Sequence, residues 1–327
     1  MSNKLGVVAL AVTAMFLSSF MTHPAAAQEK KKILFLTKST GFQHDVVKRS
    51  ETNPEKLSFA EQMLTEIAAK HGYEVTCTKD ADVFNDPKTY DTYGIIALYT
   101  TEDLTKPSDK YSRKKGPDGK DVNDKLIHTE KPMSAEGKAL FLKSIEDGKV
   151  GIVGFHCATD TFHSKNRNNP ELLRDATVKD PVDPYIAMIG GEFAGHGRQQ
   201  EATMKFVSSS FPGLSDLKDF TMHEEWYNLK NLAPDMHVIL VQDTNSMKNP
   251  EPMYKRAPFP ATWARMQGKG RVFYTSMGHR EDVWKNSTFE KVVAAGLDWT
   301  SGKTQFDAKP NLQETAPQKP AQSAAAR

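Results

Sequence analysis

Three histidines in this sequence come shortly after apolar runs that have the composition of buried β-strands. His156 directly follows the run at residues 150–155, and His44 and His279 each follow another such run. Ligands of open α/β sheets bind outside the carboxyl ends of the strands. We therefore expect the three strands to lie side by side and their loops to share one pocket. The side chains expected in this pocket are His44, His156, His279, Glu225 and His196.

Two kinds of chemistry fit such a group of side chains. Neutral imidazoles with one carboxylate can bind zinc or a similar divalent metal ion, which polarises a carbonyl group or activates water. Without a metal, the histidines can act as general acid and base on a polyol, because their ordinary pKa lies close to neutral pH. No H-E-x-x-H sequence or other closely spaced ligand pair occurs, so both possibilities stay open. If a metal ion is bound, its expected ligands are His44, His156, His279 and Glu225.

Cys157 offers a third possibility, which is nucleophilic catalysis. A nucleophile elbow places the reactive side chain between small residues two positions before and two positions after it. Gly154 and Ala158 put His156 at that apex, and Cys157 comes one position late. We therefore expect Cys157 to offer its backbone N–H to a substrate oxygen rather than to attack with its sulfur.

Aromatic side chains lie in or beside the polar segments of the second half of the chain. Aromatic faces next to carboxylates and histidines suit the C–H faces and hydroxyl groups of a sugar. Core packing is the alternative, which we expect for Trp299 and leave open for Trp263. Glycine-rich phosphate loops and G-x-S-x-G sequences are absent, which disfavours nucleotide and ordinary serine-hydrolase chemistry. The aromatic residues concerned are Phe162, Phe193, Trp226, Tyr227 and Trp263.

Strand and helix patterns alternate through the first half of the chain. This alternation predicts an α/β fold in which a parallel sheet has right-handed crossovers and helices on both faces. The strands are expected at residues 32–37, 73–78, 93–99 and 150–155, and the helices at residues 54–70 and 134–147.

The second half is less regular and predicts antiparallel strands. Gly268 and Gly270 indicate a hairpin between the last two strands, which makes the sheet mixed. Ser287 with Glu290 has the pattern of a capping box at the start of a final helix. The other expected elements are a turn at 166–170, a short helix at 185–189, a flexible loop at 190–197, an extended stretch at 220–227 and strands at 202–208, 236–242, 261–267 and 271–276.

The two ends of the chain are expected to lie outside the folded domain. Residues 1–27 contain one lysine, an apolar run and an Ala-x-Ala pattern, which predict a signal peptide cleaved after Ala27 and a periplasmic or secreted protein. Residues 303–327 are rich in proline, glutamine and alanine and are predicted to be disordered. Residues 28–302 then form one domain, within which the charged segment 105–131 is predicted to be a solvated insertion without regular structure.

Composition excludes several kinds of partner. The 43 lysines and arginines nearly balance the 41 aspartates and glutamates, so neither nucleic acid nor an anionic membrane surface is indicated. After cleavage no apolar segment long enough to span a bilayer remains, so stable membrane insertion is not expected. The partner expected is a small-molecule carbohydrate. Cys77 and Cys157 are expected to be free thiols, because two cysteines do not form a disulfide scaffold.

The motifs around these residues resemble those of the ThuA-like (trehalose utilisation) family. The resemblance covers about residues 32–301 and implies a flavodoxin-like three-layer sandwich, similar to class I glutamine amidotransferases, with a mostly parallel sheet and a mixed edge. It also implies a role in sugar metabolism, with His156 standing where those amidotransferases have a cysteine. The motifs are Thr40-Gly-Phe-x-His44-Asp45, Gly154-Phe-His156-x-Ala-Thr-Asp160-Thr-Phe162, Gly190-Gly-x-Phe193-x-x-His196, Glu225-Trp-Tyr227 and Gly270-Arg-Val-Phe-Tyr-Thr-x-Met-Gly-His279.

The chain also departs from the family pattern at two positions. Gly197 stands where the family usually has proline, and Glu224 stands where it usually has aspartate. His279 and Glu281 are similar to the His-x-Glu pair of the amidotransferases. Without a cysteine at the apex, that pair does not restore glutaminase activity.

The resemblance implies an isomerase or hydrolase acting on a trehalose-like disaccharide or a keto-sugar derivative. A non-catalytic sugar-binding module that kept the pocket is the alternative, and a cysteine-dependent hydrolase is a third possibility. The catalytic residues are then His156, His44, His279, Glu225 and Asp160, with Asp160 and Asp45 orienting the others. The residues expected to bind substrate are Phe42, Asp45, Cys157, Phe162, Phe193, His196, Trp226 and Tyr227.

Overall fold

A nine-stranded mixed sheet forms the centre of the protein. The computed structural model describes residues 32–165, 182–248 and 251–318. Its strands are β1 (Lys32–Leu36), β2 (Glu74–Thr78), β3 (Ile95–Leu98), β4 (Ser108–Lys115), β5 (Asp121–Glu130), β6 (Gly151–Phe155), β7 (Glu192–His196), β8 (Gln200–Phe206), β9 (Phe220–Glu224), β10 (Tyr227–Lys230), β11 (His237–Asp243), β12 (Phe259–Gln267) and β13 (Gly270–Thr275). The order in the large sheet is β2-β1-β3-β6-β13-β12-β11-β8-β9.

Parallel and antiparallel strands occupy different halves of this sheet. Strands β2, β1, β3, β6 and β13 are parallel, and β12, β11, β8 and β9 continue the sheet with antiparallel pairing. The hairpin expected around Gly268 joins β12 to β13. The α/β class and the mixed sheet predicted from the sequence are therefore confirmed.

Helices cover both faces of the sheet. The helices are α1 (Phe59–Lys70), α2 (Lys88–Thr92), α3 (Ala135–Glu146), α4 (Pro184–Ile189), α5 (Glu281–Trp284), α6 (Ser287–Thr300) and α7 (Leu312–Thr315). Gly296 of α6 lies against the ring of Phe273, whereas Ile189 of α4 approaches Gly154 beside the ring of Tyr274. Phe273 and Tyr274 are successive residues of β13 and point to opposite faces. The sheet therefore lies between two helical layers.

The five parallel strands end at the edge where the histidines were expected. His44, His156 and His279 follow β1, β6 and β13 respectively. The three strands are not all neighbours, because β3 lies between β1 and β6. The side-by-side arrangement expected from the sequence is wrong in this respect. The end of β3 contributes Tyr99, whose ring lies 5.5 Å from that of His44.

The segment expected to be an unstructured insertion is a β-hairpin. Strands β4 and β5 pair from Ser108 opposite Glu130 to Lys115 opposite Asp121. Ion pairs between the strands, such as Lys114 with Asp124 at 2.6 Å, explain why a charged sequence adopts this structure. Most of the hairpin is exposed, but Ser108 and Glu130 at its base are buried.

Two further regions are more ordered than the sequence predicted. Residues 190–197, expected to be a flexible loop, contain β7, which pairs with β10. The described part of the tail contains α7, with Leu312 and Ala316 buried, so the predicted disorder is wrong for residues 303–318. The low apolar content of residues 303–318 did not predict that this segment packs against the sheet. Much of the packing depends on hydrogen bonds between Asn311 and the backbone of Val238.

The helix caps agree with prediction at one of two positions. Ser134 accepts the N–H of Gly137 at the start of α3, as expected. Asn286, rather than Ser287, caps α6, and Glu290 pairs with Lys70 instead of closing a capping box.

Three predicted segments lie outside the described residues. They are the signal peptide at 1–27, the turn at 166–170 and the end of the tail from 319. Among the described residues, no helix has the length and apolarity needed to cross a bilayer. Cys77 and Cys157 are both free thiols, as expected.

Candidate active site

Four side chains from four separate segments meet at the carboxyl edge of the parallel strands. We call His44, His156, His279 and Glu225 the histidine cluster, and one ligand atom from each lies within 4.8 Å of the others. Glu225 Oε2 is 3.4 Å from His156 Nε2, 3.1 Å from His279 Nδ1 and 3.9 Å from His44 Nε2. The expectation that distant segments bring the three imidazoles together is confirmed by these distances.

His156 occupies the apex of a strained turn between β6 and a 3₁₀ turn at His156–Asp160. Its φ of +40° is uncommon for a residue other than glycine. A Cβ on Gly154 would lie 3.1 Å from Cβ of Ala158 and 2.9 Å from Cδ1 of Ile189, so glycine is needed there. The Tyr274 hydroxyl donates a hydrogen bond of 2.7 Å to the His156 carbonyl. These contacts hold the elbow that the sequence predicted, with His156 at its apex.

The imidazole of His156 is fully buried and has one defined tautomer when neutral. Its Nδ1 lies 2.8 Å from the carbonyl oxygen of Ser276, which can only accept, so Nδ1 carries a proton. In the neutral ring, Nε2 therefore presents a lone pair to Glu225 and His279. The ring of Tyr227 packs against this imidazole with centroids 4.0 Å apart and fixes its orientation.

Glu224 holds the backbone on which two members of the cluster stand. Its Oε2 accepts the N–H groups of Gly278 at 2.8 Å and His279 at 3.1 Å, and its Oε1 accepts the N–H of Glu225 at 2.8 Å. Burial raises the pKa of Glu224, although His156 and these N–H donors act in the opposite direction. Glu224 therefore positions both His279 and Glu225.

Charge is distributed unevenly within the histidine cluster. Burial alone would raise the pKa of Glu225, but its contacts with His156 and His279 hold that pKa well below the ordinary value. Burial lowers the pKa of His44 well below its ordinary value, and the neighbouring His156 and His279 lower it further. Burial also lowers the pKa of His279, but the hydrogen bond with Glu225 outweighs it and the net shift is upward. Glu225 is thus an anion and His44 is neutral at neutral pH.

The outer side of the cluster is held by polar residues near the surface. Gln199 Oε1 accepts a hydrogen bond of 2.7 Å from Arg280, which directs the amide nitrogen of Gln199 at His279 Nε2, 3.0 Å away. In this arrangement His279 Nε2 accepts a hydrogen bond from the amide of Gln199, and His279 Nδ1 carries a proton that points toward Glu225. His196 lies at the rim, with its side chain 45% exposed and Nδ1 3.4 Å from Glu225 Oε1.

The donor atoms of the cluster fit a tetrahedral metal ion. Zinc–nitrogen and zinc–oxygen bonds of about 2.0–2.1 Å place neighbouring ligand atoms about 3.3 Å apart. His156, His279 and Glu225 have separations of 3.1, 3.3 and 3.4 Å between their facing atoms. The separation of 3.9 Å between His44 Nε2 and Glu225 is longer, and Tyr227 Oη lies 3.3 Å from the same nitrogen. Three of the four side chains therefore form the compact part of a possible metal site.

Comparison with known proteins identifies the family. A family model described as ThuA, trehalose utilisation, matches residues 123–300, more than half of the chain. This chain belongs to the ThuA family. The resemblance inferred from the motifs is therefore confirmed, and no functionally curated protein matches the chain.

Three solved structures that are similar to this ThuA-family chain share little sequence with it. A putative ThuA-like protein from Parabacteroides merdae has 16% identity and a TM-score of 0.49, with 88% of this chain and 97% of that chain covered. An exo-β-1,4-mannosidase from an Opitutaceae bacterium has 7% identity and a TM-score of 0.38, with 84% and 36% covered. A β-galactosidase from Rahnella has 10% identity and a TM-score of 0.43, with 85% and 32% covered. The chain spans about a third of the two glycosidases.

The structure explains why this ThuA-family chain has glycine rather than proline at position 197. The N–H of Gly197 donates a hydrogen bond of 2.7 Å to the Tyr254 hydroxyl, which proline could not do. A Cβ on Gly197 would lie 2.5 Å from Glu251 Oε2 and 2.8 Å from the Tyr254 ring. The neighbouring His196 is thereby held at the rim of the cluster.

Several residues predicted for the site lie elsewhere. Asp160 contacts His163 and Glu102 in a separate group rather than orienting the cluster, because the 3₁₀ turn carries it away from His156. Asp45 is exposed and lines a cavity of about 870 Å³ beside the hairpin. Cys157 is fully buried, and burial raises its pKa well above the ordinary value, which argues against a nucleophilic thiolate.

Most of the predicted aromatic residues belong to the core. Trp226 and Trp263 are fully buried and donate their indole N–H groups to the carbonyls of Gln200 and Ile189. Trp299 is also buried, as expected. Phe162 is buried beneath the ammonium group of Lys138, 3.6 Å from the ring centroid.

Three aromatic side chains remain near the histidine cluster. Tyr227 contacts His156, Phe193 packs on Tyr227 with centroids 4.3 Å apart, and Phe42 packs on His44 with centroids 5.0 Å apart. Phe42 is 69% exposed, so its ring is available to a ligand.

Several polar residues at or near the site, among them Gln199 and Glu224, were not predicted as part of any site. Glu224 was noted only as a departure from the family pattern, although its position before Glu225 is the signal that could have revealed it. Glu102, His163 and Glu192 stand alone in the sequence, and only the folded chain brings them together.

Proposed function

We propose that this protein acts on a carbohydrate at the histidine cluster with the help of a divalent metal ion, most naturally zinc. His156, His279 and Glu225 would hold the ion, and its fourth position would stay open for a water molecule or a sugar oxygen. The observation that carries this proposal is the set of separations of 3.1–3.4 Å between the facing atoms of the first three residues. Membership of the ThuA family supports a trehalose-like disaccharide or a keto-sugar derivative as substrate.

The residues of the cluster have distinct roles in this proposal. A bound zinc ion would supply Lewis acidity toward a sugar carbonyl or a water molecule. Neutral His44 would take a proton from the substrate or return it, because its pKa is lowered and its Nε2 faces the cluster. The exposed ring of Phe42 would contact the C–H face of the sugar. Glu224 would keep Glu225 and His279 in place through three backbone N–H groups.

General acid–base catalysis without a metal is the second candidate. The contact of Gln199 with His279 favours this metal-free mechanism. The contact leaves a proton on His279 Nδ1, where a metal would otherwise bind. Glu225 would then pair with His279 as a proton-transfer unit, which the upward shift of the His279 pKa supports.

Metal analysis separates the two mechanisms. We expect freshly purified protein to contain about one zinc or similar ion per chain, and the E225Q and H279A variants to lose it. The matched control is H223A, which removes an exposed histidine of β9 next to the site. Metal-free protein with full turnover of a carbohydrate substrate would favour acid–base catalysis instead.

Substrate analysis tests the function itself. Trehalose and its keto derivatives would be incubated with wild-type protein and with E225Q, and the products identified by mass spectrometry. Turnover by the wild type alone supports the proposal. Tight calorimetric binding of the same sugars without any product would instead identify a non-catalytic sugar-binding module.

We also propose that the protein is exported and works in the periplasm or outside the cell. The support is the sequence pattern of residues 1–27, with cleavage expected after Ala27. Intact-mass analysis of exported protein tests this, and a mass that retains Met1 would contradict it.

A further inference from the structure

We propose that a cavity next to the histidine cluster binds a second sugar unit of the proposed carbohydrate substrate. We call it the hairpin cavity, because it lies between the hairpin of β4 and β5 and the loop after β1, and its volume is about 870 Å³. Pockets that hold small-molecule ligands measure about 300–1,000 Å³. The inference rests on the proposed carbohydrate function and adds to it the length of the substrate. The residues that line the cavity include Phe42, Gln43, Asp45, Lys48, Tyr111 and Glu130.

Phe42 connects the hairpin cavity to the histidine cluster. Its ring packs edge-to-face on the imidazole of His44 with centroids 5.0 Å apart, and the same side chain lines the cavity and is 69% exposed. Tyr111 of β4 adds a second aromatic ring to the lining, on the hairpin side. Aromatic rings are the surfaces on which the C–H faces of sugars pack. A carbohydrate in contact with Phe42 can therefore place one unit at His44 and the next in the cavity.

The hairpin is joined to the rest of the domain at its base and toward its tip. At the base, the hydroxyl of Ser108 and the ammonium group of Lys110 donate hydrogen bonds of 2.7 and 2.8 Å to the carbonyl of Ser39. Toward the tip, the backbone N–H of Arg113 donates to the carboxylate of Glu51 at 3.3 Å. The walls of the cavity are thus held in place without a ligand, which lowers the conformational cost of binding.

Three polar side chains of the loop after β1 are available to a ligand in the hairpin cavity. Gln43, Asp45 and Lys48 line it and, within the described residues, make no side-chain hydrogen bond or ion pair. An amide, a carboxylate and an ammonium group can together donate to and accept from the hydroxyl groups of a sugar. The loop therefore supplies both kinds of hydrogen-bonding group beside the ring of Phe42.

Glu130 lines the same cavity and has one oxygen without a donor. The residue is fully buried, and its Oε2 accepts the N–H of Ser39 at 3.3 Å and lies 3.5 Å from Lys110 Nζ. Its Oε1 accepts no hydrogen bond from any described residue. Buried polar atoms normally have a hydrogen-bond partner. A ligand hydroxyl is a donor of the kind that this oxygen lacks.

The charges of the lining indicate a neutral ligand. Five lysines and arginines and six aspartates and glutamates line the cavity, so their charges nearly cancel. A site for a phosphate group or a sugar acid would carry an excess of positive charge. Hydroxyl groups both donate and accept, and they suit a lining in which cations and carboxylates are mixed. The ligand class is therefore a neutral carbohydrate of two or more units.

Isothermal titration calorimetry of the purified protein tests this inference. Trehalose, maltose and cellobiose are the disaccharide probes, and glucose is the single-unit probe. We expect the wild type to bind at least one disaccharide about tenfold more tightly than glucose. D45A and Y111A should each lower this preference by about fivefold or more, because each removes a polar or aromatic contact in the cavity. D91A, which removes an exposed carboxylate of α2 outside the cavity, is the matched control and should keep the preference.

The inference fails if none of the disaccharides binds more tightly than glucose, or if D45A and Y111A both keep the wild-type preference. Tighter binding of glucose 6-phosphate or glucuronate than of every neutral disaccharide would overturn the assignment to a neutral ligand. Thermal unfolding checks that each variant is folded. D45A decides the matter if Y111A does not fold, because Asp45 is exposed.

H279A separates a failure of this inference from a failure of the proposed function. If the histidine cluster takes no sugar, H279A binds the disaccharides like the wild type while D45A binds them more weakly. The hairpin cavity would then stand as a sugar site without the proposed catalysis. If the cavity takes no sugar, H279A weakens binding whereas D45A and Y111A do not.

Discussion

Glu224 shows how a residue that touches no substrate can control the geometry of the histidine cluster. Its two oxygens accept three backbone N–H groups, from Glu225, Gly278 and His279. In an E224Q variant one oxygen becomes an NH₂ group that faces N–H donors. We expect zinc affinity to fall about 10–100-fold, because residues that hold ligands in place have effects of this size. Competition titration against a chromophoric chelator measures the change.

The control for E224Q is E201Q, which removes an exposed carboxylate from β8. It should leave zinc affinity unchanged. Equal affinities of E224Q and wild type would show that the backbone contacts of Glu224 do not position His279 or Glu225.

Gln199 offers a way to strengthen metal binding. In its present orientation the amide of Gln199 donates to His279 Nε2, which keeps a proton on Nδ1. A Q199E carboxylate would accept from Nε2–H instead and free Nδ1 for a metal, while keeping the contact with Arg280. We expect zinc affinity to rise about tenfold. The exposed Q62E substitution on α1 is the control, and weaker zinc binding by Q199E would contradict this account.

At the scale of elements, helix α1 is tied to the end of β1 and to the loop between them by one buried carboxylate. Glu61 accepts hydrogen bonds from the Thr37 hydroxyl, the guanidinium of Arg49 and the backbone N–H of Ser58. We expect E61Q to lower the free energy of unfolding by about 3 kcal/mol, because it breaks a buried ion pair. Urea denaturation measures this, and E66Q, on the exposed face of the same helix, should be neutral.

The effect of Glu61 depends on pH in a defined direction. Burial would raise its pKa, but the contacts with Arg49, Lys79 and Thr37 lower it below the ordinary value. The contribution of Glu61 is therefore present above the unfolded pKa of about 4.3 and is lost as the pH falls through the folded pKa. The difference in stability between wild type and E61Q should shrink as the pH is lowered from 6 to 3. A constant difference would contradict the ion-pair explanation.

Elements with strong local signals could be predicted from the sequence. The apolar runs gave β1, β6 and β13 within a residue or two, and Ser134 correctly marked the start of α3. Strand β7 could not be predicted in this way, because glycines flank it on both sides and it takes its structure from pairing with β10. The hairpin of β4 and β5 was missed for a similar reason, since its cross-strand ion pairs look like a solvated sequence until the register is known.

The same reasoning applies to the sites. His44, His156 and His279 were predictable because each follows a strand at one edge of a sheet. The group of Glu102, Asp160 and His163 was not, because Asp160 ends a 3₁₀ turn whose direction the sequence does not reveal. Glu102 adds a constraint of long range, since its backbone N–H donates to the carbonyl of Asp160.

At the scale of the whole molecule, the C-terminal segment completes the antiparallel half of the sheet. Strand β8 pairs with β11 only from Leu240 onward, and before that point Asn311 bonds the N–H of Val238 at 2.6 Å and its carbonyl at 3.1 Å. His237 Nδ1 also lies 2.8 Å from the carbonyl of Lys309. Residues 303–318 thus supply hydrogen bonds that the strands themselves do not.

Truncation after Gly302 should therefore destabilise the protein even though it removes nothing from the histidine cluster. Loss of the buried Leu312 side chain and of the two Asn311 hydrogen bonds should lower the free energy of unfolding by roughly 4 kcal/mol. N311A, which removes only the two bonds to Val238, should lose about half of this amount. Urea denaturation of the three proteins measures both effects. An unchanged midpoint for the truncated chain would show that the sheet is complete without its C-terminal segment, whereas zinc content should be the same in all three.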